Sequence, residues 1–214
     1  MNQSQFGRRG LLAAFGALAG VIAAGTRRAE AQASATTFRP LFHDQDRWMD
    51  QIPGRHRVIC DVSSPVGVVE ALRFVSNIYE GNRAGYGVEQ ADLATIVILR
   101  HQATSFGYGN GLWAKYSAAY LEQSGYKSSS GAQSTNPHLS PNALEGFIQR
   151  GVQFGVCATA TRGIIRRITS SAEEGEAIFK EVQANLIPNS RLVPAGVVAV
   201  TRAQEYGYSV LHIG

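Results

Sequence analysis

Short apolar runs alternate along the chain with stretches that have helical periodicity. Residues 58–62 and 94–99 are almost continuously apolar, which is typical of strands buried on both faces of a parallel sheet. Between these two strands, apolar residues recur at helical spacing over 65–79. We predict a helix there, with its N-cap at Ser64 and its end at Gly81.

The same alternation continues to the end of the sequence. Further helices are predicted over 112–123, 141–150, 163–168, 173–185 and 196–206, and further strands over 152–157, 192–193 and 208–213. This order predicts an α/β fold, a three-layer α/β/α sandwich with a mainly parallel sheet of about five strands. The Ser-rich stretch 126–141 has no periodicity, which indicates a surface loop.

The amino terminus has the three parts of a twin-arginine signal peptide in the right order. Arg8 and Arg9 precede a weakly apolar stretch over 11–24, and Ala29-Glu30-Ala31 is a small-x-small cleavage site. The apolar stretch is shorter than the roughly 20 residues that a membrane span needs. We therefore expect export to the periplasm, with no stable membrane insertion after cleavage. The predicted organisation is a signal peptide over 1–31, an arm that packs on the domain over 32–54, and one domain over 55–214.

The positive charge of the whole sequence belongs mostly to the predicted signal peptide. The formal net charge is +4, and residues 1–31 contain four arginines and one glutamate, so cleavage leaves about +1. This balance gives no support to a nucleic-acid partner.

The candidate for chemistry is Cys157, at the end of a predicted strand and the start of a helical stretch. In parallel α/β sheets, reactive groups gather at the carboxyl edge, where helix N-termini favour a thiolate. Arg162 adds a positive charge nearby, and His101 follows the second strand at the same edge. Two alternatives stay open: Cys157 is a buried packing residue, or it forms a disulfide with Cys60, the other cysteine.

Two apparent cofactor motifs are rejected on their pattern. Gly107 and Gly109 belong to FGYGNG, whose G-x-G-x-G spacing fails the dinucleotide fingerprint, and we interpret it as a flexible loop beside the site. His43, Asp44 and Asp46 lie close together in the arm, but such a cluster is more often solvated than bound to a metal. We predict no cofactor and no metal.

The carboxyl half resembles the DsrE/DsrF-like family, to which the sulfur-relay subunit TusD belongs. The stretches that carry the resemblance are GVQFGVCATATRG and LIPNSRLVPAGVVAVTRAQEYGYSVL, and the matching positions are Cys157, Arg162, Gly163, Pro194, Gly196, Gln204, Gly207 and Tyr208. The resemblance covers about Arg57 to Ile213 and is strongest in the last third.

This resemblance implies a DsrEFH-like sandwich, a tendency to form homo-oligomers, and a partly exposed cysteine that carries sulfur as a persulfide. Cys157 would attack a sulfur donor, and the backbone N–H groups of Ala158, Thr159 and Ala160, with Arg162, would stabilise the anion. The sulfur would then pass to an acceptor thiol.

The role of His101 depends on the function of the protein. In a sulfur carrier His101 would orient the donor or shuttle a proton, and in the alternative, a non-catalytic binding module, it would bind a ligand. In that module a small ligand or protein is bound in a pocket framed by His101, Gly107, Gly109 and the Ser-rich loop.

Overall fold

Five strands form a single all-parallel sheet in this computed structural model, which describes residues 39–127 and 133–214. The strands are β1 (His56–Val62), β2 (Leu93–Leu99), β3 (Gln153–Cys157), β4 (Ser190–Val193) and β5 (Ser209–Ile213). Their order in the sheet is β4-β3-β2-β1-β5. Because all five strands are parallel, their carboxyl ends meet at one edge.

Helices cover both faces of the sheet, which confirms the predicted α/β/α sandwich. The helices are α1 (Trp48–Gln51), α2 (Pro65–Tyr86), α3 (Asn110–Ser124), α4 (Leu144–Gln149), α5 (Ala158–Ile168), α6 (Ala172–Ala184) and α7 (Gly196–Glu205). Short 3-10 helices occupy Asp44–Asp46, Gln90–Asp92 and His101–Gly107.

Strand alternation divides the apolar residues into two cores. Cys60 and Val62 of β1 point to the larger core, which α2, α3, α5 and α6 cover. Ile59 points to the smaller core, which is formed with α1 and α7. Asp61 is two residues after Ile59 in the same strand, so its side chain points to the same face of the sheet, which α7 covers.

Helix α2 is longer than its sequence pattern predicts. It begins as expected, because the Ser64 side chain accepts a hydrogen bond from the Gly67 N–H at 3.0 Å. The predicted end at Gly81 is wrong: the helix continues to Tyr86 and is closed by Gly87, which has a φ of 63°. An interior glycine weakens a helix but does not stop it, whereas a glycine in the left-handed conformation does.

Part of the predicted arm belongs to the domain. Contacts between residues divide the chain after Leu41, so residues 42–54 lie in the same unit as the sheet. Met49 is fully buried there, and the Tyr208 hydroxyl donates to the Met49 carbonyl at 2.6 Å. The signal peptide lies outside the described residues and stays a prediction.

The described end of the predicted Ser-rich loop is anchored to the domain. The buried Asn136 amide donates to the carbonyls of Phe106 and Tyr108, at 2.7 and 2.9 Å. Residues 128–132 of this loop lie outside the described part. None of the helices within 39–127 and 133–214 has the length and apolarity to cross a membrane.

Candidate functional site

Cys157 is the last residue of β3 and the N-cap of α5, as the sequence predicts. Phe154 and Val156 point to the larger core, so Gly155 and Cys157 point to the opposite face, towards α7. Cys157 is 6% exposed. Cys157 is therefore less exposed than the sequence analysis predicts, because the start of α7 covers its sulfur.

Two backbone N–H groups donate to the Cys157 sulfur. The Ala160 N–H, in the first turn of α5, lies 3.4 Å from Sγ, and the Gly196 N–H, the first of α7, lies 3.3 Å from Sγ. The sulfur thus lies at the N-termini of two helices, each at least ten residues long. Both helix dipoles stabilise negative charge at this position.

Arg100, which directly follows β2, is the cation that packs against the start of α7. Its guanidinium binds both carboxylate oxygens of Asp61, with Nε–Oδ1 at 2.5 Å and Nη2–Oδ2 at 2.9 Å. The hydrogen bond to Asp61 raises the pKa of Arg100, and the nearby Cys157 raises it further. Arg100 therefore stays charged, as one half of an ion pair with Asp61.

Asp61 holds this arginine in place. Its side chain is 10% exposed, and its Oδ2 also lies 3.0 Å from Nδ1 of His212, the paired residue on β5. Burial alone would raise the pKa of Asp61, but the hydrogen bonds of Arg100 and His212 lower it overall. Asp61 thus stays ionised and orients the Arg100 guanidinium.

Gly196 allows the closest approach in the site. A Cβ on this residue would lie 2.5 Å from Arg100 Cβ and 3.0 Å from Arg100 Cδ. Any larger residue would push α7 away from Arg100 and from the Cys157 sulfur. This packing explains why a glycine begins α7.

Two threonines hold the start of α5. The Thr159 hydroxyl donates to the Pro194 carbonyl at 3.0 Å, which ties α5 to the loop before α7. The Thr161 hydroxyl donates to the Cys157 carbonyl at 2.9 Å and lies 2.8 Å from the buried Tyr108 hydroxyl. Ala158 precedes both threonines and is half-buried at the rim. The site is therefore fixed from both sides of the sheet.

Arg162 does not contribute its charge in the way that the sequence predicts. Its guanidinium lies 3.7 Å from the centre of the Phe179 ring and 3.2 Å from Glu176 Oε2, both on α6. The reason is helical geometry: five residues after the N-cap, a side chain lies about 140° around the helix axis from it. Arg100, and not Arg162, packs against the start of α7.

His101 and the two loop glycines lie around the site rather than in it. His101 is exposed with a φ of 52°, and its carbonyl accepts a hydrogen bond from Gln123 at 2.7 Å. Gly107 is buried, and a Cβ there would lie 2.4 Å from Val156 Cγ2, on the face opposite the Cys157 sulfur. Gly109 faces the Asn185 carbonyl, at 3.0 Å from an added Cβ. These glycines permit close packing, so the expectation of a flexible loop is wrong; their ligand-binding role stays a prediction.

The disulfide alternative is wrong. Cys60 and Cys157 are both free. They lie on β1 and β3, which β2 separates, and their side chains point to opposite faces of the sheet. Burial also raises the pKa of Cys60 to about 12, so this second thiol stays protonated.

No metal centre accompanies the thiol in the described part of the chain. Neither His43, Asp44 and Asp46 nor any other described group of three His, Cys, Asp or Glu residues is arranged to hold an ion.

Asp61, Arg100, Gly196 and His212 are the site residues that the sequence analysis missed. One signal was available, because Asp61 is a carboxylate inside the otherwise apolar run of β1. A buried carboxylate needs a partner, and Arg100 is a cation two residues beyond Ile98, the residue that pairs with Asp61 on the next strand. Nothing in the sequence marks Gly196 as a donor to sulfur, since that contact depends on how α7 packs.

A scan against models of protein families and a search of curated proteins both return no match.

Proposed function

We propose that this protein is an exported sulfur carrier in which Cys157 holds sulfane sulfur as a persulfide. The observation that carries the proposal is the environment of the Cys157 sulfur. This free thiol accepts hydrogen bonds from two backbone N–H groups at two helix N-termini, and one of these, Gly196, packs against the Arg100 side chain. The resemblance of the carboxyl half to the DsrE/DsrF-like family supports the same function. It also supports the formation of a homo-oligomer.

The proposed step transfers one sulfur atom without an external oxidant. The Cys157 thiolate attacks the outer sulfur of thiosulfate, a new S–S bond forms at Sγ, and the S–S bond of thiosulfate breaks to release sulfite. An acceptor thiolate then attacks the outer sulfur of the persulfide and restores the Cys157 thiolate. Ala160 and Gly196 stabilise the negative charge in both resting states.

The covered position of the sulfur favours a small anionic donor. Cys157 is 6% exposed, and the residues Thr159, Pro194 and Val197 around it are exposed. Val197 is 56% exposed and adjoins Gly196, so it offers an apolar contact for an acceptor protein. Movement of this rim would admit the acceptor thiol.

Mass spectrometry of the intact protein tests the proposal. After incubation with thiosulfate or polysulfide, the native protein should gain the mass of one sulfur atom and lose it on reduction by dithiothreitol. Cys60→Ser is the matched control and should gain the same mass, whereas Cys157→Ser should gain none. Equal labelling of native protein and Cys157→Ser would overturn the proposal, as would the absence of labelling in both.

A second candidate is a non-catalytic binding module in which Cys157 is a packing residue. The low exposure of Cys157 favours it. In that case the native protein takes up no sulfur, and Cys157→Ser differs from it only in stability.

A further inference from the structure

A cleft at the opposite edge of the sheet contains two arginines that have no acidic partner among residues 39–127 and 133–214. It lies where β2 and β3 begin, about 13 Å along β3 from Cys157 at a rise of roughly 3.3 Å per residue. The cleft has a volume of about 390 Å³, and its lining includes Trp48, Gln51, Gln90, Arg150, Gln153 and Arg191. Within the described residues, no Asp or Glu lines it.

Arg191 is the less constrained of the two cations. Its guanidinium lies 4.3 Å from the centre of the Trp48 ring, and it forms no hydrogen bond or ion pair with the described residues. Stacking on an aromatic ring leaves the edge of the guanidinium, with its N–H donors, free. Partial burial lowers the pKa of Arg191, but the residue stays exposed, so an anion from solvent can reach its guanidinium.

Arg150 is held rigidly on the other wall. Its Nε donates to Gln90 Oε1 at 3.0 Å, while the Gln90 amide donates back to the Arg150 carbonyl at 3.0 Å. The guanidinium also lies 4.4 Å from the Tyr79 ring centre and 5.4 Å from that of Phe147. Its two terminal nitrogens contact no carboxylate in the described part of the chain. A fixed arginine binds an anion with little loss of conformational entropy.

The rest of the lining suits an apolar group. Trp48, Ile52 and Leu93 contribute apolar surface, and the glutamine amides add neutral hydrogen-bonding groups. Guanidinium groups bind carboxylates and phosphates through paired N–H donors.

We propose that this cleft binds a small organic oxyanion. Arg150 and Arg191 hold its carboxylate or phosphate, and its apolar part lies against Trp48 and Ile52. This site is independent of Cys157, so Cys157→Ser should bind the same ligands equally well.

Isothermal titration calorimetry with phenyl phosphate and with benzoate tests the proposal. At least one of the two should bind with a Kd of about 1 mM or lower, and the tighter one identifies the head group. Benzyl alcohol, which lacks the charge, should not bind. Arg191→Gln and Arg150→Gln should each weaken binding at least about tenfold, and the exposed Arg83→Gln on α2 should leave it unchanged. Binding should also change the fluorescence of Trp48, and Trp48→Phe should remove that change.

Two results would overturn the proposal. One is the absence of saturable binding by both anions, and the other is binding that neither arginine variant weakens. If Arg150→Gln destabilises the protein because the contacts with the Tyr79 and Phe147 rings are lost, Arg191→Lys tests the proposal instead. It keeps the charge but loses the paired donors, so it should also weaken binding.

Discussion

Replacing Arg100 by methionine is expected to lower the free energy of unfolding by about 2 to 3 kcal/mol, measured by urea denaturation at pH 7. The substitution leaves Asp61, which is 10% exposed at its side chain, without the cation that binds both of its oxygens. Only His212 remains as a partner, and it is 62% exposed. An uncompensated buried carboxylate is the largest cost in this change.

The double variant Arg100→Met with Asp61→Asn distinguishes this cause from lost packing. Because it removes both charges, it should be more stable than Arg100→Met alone. Glu80→Gln is the control for an exposed pair, since Glu80 binds Arg83 on the surface of α2. Its unfolding curve should match that of the native protein. A double variant as unstable as Arg100→Met would show that the Asp61 charge is not the cause.

The stability of the protein should fall between pH 6.5 and pH 4 because of His138. Its ring is buried against Phe106 and Tyr126, and its Nε2 has no hydrogen-bond partner among the described residues. Burial lowers the pKa of His138 from 6.5 to about 4. Between these values the unfolded chain binds more protons than the folded one, so stability is fully present above pH 6.5 and is lost as the pH falls. The expected loss at pH 4 is about 3 kcal/mol.

His138→Phe should remove this part of the pH dependence while it keeps the aromatic contacts. Urea denaturation from pH 4 to pH 7 should give a flatter profile for this variant than for the native protein. The exposed His56→Gln should retain the native profile. Parallel profiles for native protein and His138→Phe would contradict the assignment. The titration of Asp61 does not interfere, because its lowered pKa confines its effect to a more acidic range.

The alternation of strands and helices could be predicted because each element is encoded by nearby residues. The apolar runs in β1 and β2 and the cap at Ser64 depend only on short-range preferences. The predicted end of α2 was wrong because the sequence does not distinguish Gly81 from Gly87. They differ only in backbone conformation, and only Gly87 is left-handed.

The site was predicted less well because it combines residues that the sheet order brings together. The position of Cys157 follows from a local pattern, whereas the choice between Arg162 and Arg100 does not. Arg162 is nearer in sequence, but it points to α6. Arg100 is 57 residues away, and it reaches the site because β2 pairs with β3. The burial of the sulfur likewise depends on α7, whose position no local pattern specifies.

Selective alkylation tests most directly whether a small reagent can reach the Cys157 sulfur as a nucleophile. Native protein is treated with iodoacetamide at pH 7, and modification of each cysteine is followed by peptide mass spectrometry. Cys60 is the internal control, because it is fully buried and burial raises its pKa to about 12. We predict that Cys157 is modified in the folded protein, slowly because the start of α7 covers its sulfur, while Cys60 reacts only after the protein is unfolded in urea. Equal resistance of both cysteines in the folded protein would contradict the account.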